Sequence, residues 1–255
     1  MRPAAAIALA ALLSACAVRP AAPTPVSGYL ASTEITALAG DAPPHPLAPS
    51  DHAASQALRS LEDSDRWRLA TAQAELRPPE AAQHFDCALG VRFAQHPRPA
   101  LTRLMGRLLA DSTTLTERLA RVTARPRPAA LDPDRRACVR LTDETRASSA
   151  WPVGPAVAGA AYAELFAALA PDRAEAVYRT GHEIGVSRAV CAMAWPADVA
   201  PSKALGRTVY ARAALTRDFT ADLSAARAEV QAARAERLTS PACAAERLAL
   251  GQSPF

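Results

Sequence analysis

Histidine is scarce in this chain: there are five in 255 residues, at positions 45, 52, 84, 96 and 182. None forms an HxxxH or HxxE pair and no cysteines have the close spacing of a zinc site, so no metal site is expected. Aromatic residues make up only 5% of the chain, and its net charge of +4 comes from arginines scattered among acids rather than from a block of like charges. That argues against a nucleic-acid partner, which asks for a basic patch with interleaved rings. No internal repeat and no convincing strand pattern can be read.

What the chain does have is alanine and proline. Half of it is hydrophobic, much of that alanine, and 22 prolines divide the alanine-rich blocks. Alanine has the best helix propensity, so the fold class expected is all-α, a helical bundle with a single core. Residues 1–16, MRPAAAIALAALLSAC, combine a basic Arg2, an apolar run and small residues before Cys16. The run is shorter than the roughly 20 residues that span a bilayer, so it reads as an export signal. Leu13-Ser14-Ala15-Cys16 resembles the lipobox of bacterial lipoproteins, which implies lipidation of Cys16 and a periplasmic protein anchored to the cell envelope, on the outer membrane. Four further cysteines, at 87, 138, 191 and 243, suit two disulfides under oxidising conditions, with three connectivities open.

Residues 17–50 are proline-rich and read as a tether or wrapping arm, with Tyr29, Leu30, Ile35 and Leu38 able to dock on the body. A helical domain is expected over 51–238, with Asp51 as a helix N-cap, and a C-terminal tail over 239–255. Leu101, Leu104, Met105, Leu108, Leu109, Leu115 and Leu119 keep mostly to one side of a 3.6-residue period and mark an amphipathic helix. The three prolines of 124–136 predict a loop. AVAGAAYAELFAALA, after Pro155, is apolar on nearly every face and belongs in the middle of the bundle. Another helix is expected over 172–194, and Phe219, Leu223, Ala226, Val230 and Ala233 mark one more.

Three arginine-bearing or amide-bearing places could converge on a phosphate: Arg125-Pro126-Arg127-Pro128, the WPVGP turn at 151–155, and Ser187-Arg188. A guanidinium makes two parallel bonds to phosphate, and a helix N-terminus offers free N–H groups. With RWRLATAQAEL, FDCALGV, ARPRP, WPVGP, LAPDRAEAVYRTGHEIGVSRAVCAMAW and DFTADLSAARAEVQAAR in this order, the chain resembles the bacterial class A non-specific acid phosphatases of the PAP2 and vanadium haloperoxidase superfamily.

The resemblance implies three motif segments. A lysine, six residues and Arg-Pro map onto Ala120 and Arg127-Pro128; the alternative register puts Arg118 before Arg125-Pro126. Pro-Ser-Gly-His maps onto Pro152-Val153-Gly154-Pro155, which keeps the glycine and loses the hydroxyl and the general-acid histidine. Ser-Arg, five residues, His, three residues and Asp map onto Ser187, Arg188, Ala194 and Asp198. The nucleophilic histidine is therefore alanine, while Asp198 remains as the carboxylate that would orient it. A methyl group offers phosphorus no lone pair.

The resulting expectation is an exported lipoprotein with an acid phosphatase fold and a disabled active site. Arg188, Arg127, Gly154 and Ser187 would hold phosphate or a phosphomonoester; no cofactor and no nucleic acid are expected, and the membrane is met through the lipid anchor. An active phosphatase with a modified mechanism and a ligand-free envelope scaffold are the alternatives. Taken without the family, Arg188 pairs most simply with Asp198.

Overall fold

The structure, a computed structural model, describes residues 26–40 and 46–255. The leader and Cys16 lie outside the described residues. Among the described residues there are twelve α-helices and no strand. In chain order they are α1 Ser32–Ala39, α2 Pro49–Ala57, α3 Asp65–Ala72, α4 Asp86–Leu89, α5 Pro99–Val122, α6 Pro128–Leu131, α7 Asp143–Ala147, α8 Gly154–Leu169, α9 Ala174–Val190, α10 Pro196–Ala213, α11 Arg217–Ala235 and α12 Cys243–Leu250. The all-α bundle is what the alanine blocks call for.

The centre is α8. Its sequence leaves it no polar stripe, and most of its side chains are buried among α5, α9, α10 and α11. Close approach is what its small residues permit. A β-carbon built on Gly181 of α9 would stand 2.5 Å from the Gly159 carbonyl of α8, so the two backbones touch where neither residue has a side chain. Helix α5 presents the expected apolar stripe, with Leu101, Leu104, Met105, Leu108, Leu115 and Leu119 all buried.

Several local expectations change. Residues 32–39, within the stretch expected to be extended, form α1 and bury Ile35 against Leu115, Leu119 and Val209. Here no proline interrupts, and an apolar face finds a partner. Just upstream, the Tyr29 and Leu30 N–H groups donate to Asp111, and the Tyr29 hydroxyl donates to Asp222 at 2.8 Å. Asp51 is not the N-cap of α2: that helix opens at Pro49, and Asp51, three residues inside the cap, accepts from the Ala48 N–H. The expected loop 124–136 contains one helical turn, α6, opened by Pro128. The stretch 239–255 carries α12, packed on α3 and tied back by a disulfide between Cys87 and Cys243. The second disulfide joins Cys138 to Cys191.

Candidate functional site

A pocket of about 230 Å³ opens between the C-terminal part of α5, the N-terminus of α8 and the end of α9. Arg127, Arg188, Ser148, Ser149, Gly154 and Pro155 are among its walls, with Thr116, Glu117, Ala120 and Met193. Three distant segments of sequence are thus brought together. Ala120 lies in the wall beside Arg127, which favours the motif register that starts at Ala120. Arg118 donates elsewhere, to the Ser32 carbonyl.

Arg188 is buried in the last turn of α9. One Nη donates to the Ala70 carbonyl at 2.7 Å and contacts Cys191 Sγ at 3.1 Å, while Nε has no partner among the described residues. Burial lowers its pKa to about 10, helped by the positive charges of Arg127 and Arg66. Arg127 is anchored by bonds to Ser148 Oγ and to the Met193 carbonyl at 2.6 Å; burial lowers its pKa too. Neither guanidinium pairs with a carboxylate among the described residues.

The amide of Gly154 completes this positive wall. At the start of α8 the Val153 N–H donates to Ser202 Oγ at 2.9 Å, Pro155 has no N–H, and Ala156 and Val157 both donate to the Val153 carbonyl. Among the described residues the Gly154 N–H has no partner at this end, as the geometry of a helix N-terminus allows. Two guanidiniums and one amide can hold a tetrahedral oxyanion.

Asp198 is not the partner of Arg188. It is held bidentately by Arg125, at 2.6 and 2.9 Å, with both side chains almost fully buried. Burial raises its carboxyl pKa against the opposing pull of Arg125. Arg127 enters the pocket and Arg125 turns inward to Asp198.

Ser187 is also placed differently from expectation. One residue from Arg188 round the helix, it is fully buried, accepts from Arg66 at 2.9 Å and donates to the Gln73 side-chain Oε1 at 2.5 Å. It does not line the pocket. Arg66 also pairs with Glu183 at 3.0 Å, a buried network that short motifs did not reveal.

After α9, Ala192 adopts a positive φ of 55° and reverses the chain, so that the Met193 and Ala194 N–H groups both donate to the Arg188 carbonyl. Met193 reaches the pocket wall, whereas Ala194 is buried in a cluster with Trp67, Ala156 and Val199. Among the described residues no histidine lines the pocket. His84 bonds the Glu75 carbonyl, His182 meets Lys203 and the Phe255 ring, and His52 lies against Trp195. Cys191 is oxidised to a disulfide and offers no thiol.

Comparison with known proteins decides the lineage. No family model matches the chain. It is 30% identical over 190 residues to an acid phosphatase of Zymomonas mobilis subsp. mobilis, covering 74% of this chain and 72% of that protein. The chain belongs to the acid phosphatase family. Non-specific acid phosphatases of Providencia stuartii (24% over 181 residues, 71% and 73% of the two chains) and Salmonella typhimurium (25% over 174 residues, 67% and 69%) are further relatives. Family membership and the arginine-lined hollow point to the same ligand chemistry, that of phosphate.

Proposed function

We propose that this member of the acid phosphatase family binds phosphate or a phosphomonoester without turning it over. One observation carries the reading: Arg127, Arg188 and Gly154 line one pocket whose walls, among the described residues, include no imidazole. A buried guanidinium without a carboxylate partner is costly, and an oxyanion between Arg127 and Arg188 would relieve both desolvation and mutual repulsion. Phosphoryl transfer needs more than this. A nucleophile must attack in line and an acid must protonate the leaving oxygen. At the matching positions stand Ala194 and Pro155, and Asp198, which would orient an imidazole, is engaged by Arg125. Loss of a nucleophile typically costs on the order of 10⁴ to 10⁶ in rate.

The leader motif supports export and lipidation at Cys16, with the body held in the periplasm on the outer membrane. The two disulfides fit an oxidising compartment. Among the described residues no helix is long and apolar enough to cross a membrane, so anchoring rests on Cys16.

Calorimetric titration with inorganic phosphate, alongside p-nitrophenyl phosphate hydrolysis from pH 4 to 8, tests the reading. Saturable heat that Arg188→Met weakens at least about tenfold, with hydrolysis at background, is the expected result. Turnover by the purified protein that vanishes on Arg188→Met would overturn the inactive reading; absence of any phosphate heat would overturn the binding one.

A further inference from the structure

The pocket does not end at Ala120 and Ser149. Both residues also wall a second hollow, of about 480 Å³, into which Arg121, Arg125 and Arg146 contribute. Arg125 is committed to Asp198. Arg121, exposed in the last turn of α5, and Arg146, on α7 with one Nη bonded to the Ala129 carbonyl at 3.2 Å, have no carboxylate partner among the described residues. The two hollows therefore form one furrow with a guanidinium pair towards each end: Arg127 and Arg188 deep, Arg121 and Arg146 shallow. Across both sets of walls Glu117 is the single carboxylate among the described residues, and it belongs to the deep end.

We infer that the furrow takes a small bisphosphate, one phosphate seated between Arg127 and Arg188 and the other met by Arg121 and Arg146. The inference rests on the reading of the deep pocket as a phosphate seat and goes beyond it by assigning the far end of the ligand. Isolated surface arginines hold anions weakly because water screens them. Here a seated first phosphate tethers the second, so the shallow pair sees it at a high effective concentration. A monophosphate with a neutral remainder leaves that pair unused.

Fructose 6-phosphate and fructose 1,6-bisphosphate differ by one phosphate and serve as probes in calorimetric titrations of the full chain. The bisphosphate is expected to bind at least about tenfold more tightly. In Arg121→Ala/Arg146→Ala that preference should shrink to within about twofold while affinity for fructose 6-phosphate stays unchanged; both side chains are exposed, so the fold is expected to survive. Equal affinities in the unsubstituted protein, or a preference that persists in the double variant, would overturn this inference alone. No binding of either sugar phosphate, or binding that Arg188→Met leaves intact, would instead remove the deep phosphate seat on which it rests.

Discussion

Arg188 sits where burial acts most strongly against a positive charge, with Nε unpartnered and two other arginines near enough to lower its pKa. Replacing it with methionine removes an unpaired buried cation and loses one bond to the Ala70 carbonyl. These effects oppose each other, so Arg188→Met is expected to change stability by no more than about 1 kcal/mol in phosphate-free buffer. Phosphate should raise the melting temperature of the unsubstituted protein and leave that of the variant unmoved; thermal melts with and without phosphate check both. Position 194 behaves differently. Its methyl group is enclosed in a packed cluster, so an imidazole there must push neighbours aside. Ala194→His combined with Pro155→His is expected to cost about 1–3 kcal/mol in denaturant titration and to yield no phosphatase activity, because Asp198 already has both oxygens on Arg125. Recovered turnover in that variant would show that the carboxylate can change partners.

At the scale of elements, the leucine period of α5 and the all-apolar sequence of α8 were legible, because burial on one face or on all faces leaves a direct mark on residue order. So were the deep positions of Arg127, Arg188 and Gly154, through the order of the motifs. Partner choice was not. Arg188 and Asp198 are ten residues apart in sequence, whereas the Arg125 that captures Asp198 is 73 residues away, and no local pattern records such a meeting. Ser187 shows the same limit: its hydroxyl belongs to a network with α3 that only tertiary packing creates. Another such meeting lies between α4 and α12. Burial raises the pKa of Asp86 to about 6, and burial together with the charge of Asp86 raises that of Glu246 to about 6. Carboxyls with raised folded pKa values favour the folded state when protonated, so their contribution is fully present below about pH 4 and is lost as pH rises through about 6. Asp86→Asn/Glu246→Gln should therefore flatten the decline in melting temperature between pH 4.5 and 7, as followed by circular dichroism. An unchanged slope would place the effect elsewhere.

For the molecule as a whole, the Cys87–Cys243 bridge spans a sequence separation of 156 residues, the longer of the two closures. A covalent loop of that size restricts the unfolded chain strongly, and Cys87→Ser/Cys243→Ser is expected to cost about 2–5 kcal/mol in urea titration. Every residue lining the arginine-walled pocket, from Thr116 to Met193, lies inside this loop. A protease that nicks the chain once anywhere within it releases no fragment: the halves remain one particle, migrating as a single band on a gel without reductant and as two bands once thiol is added.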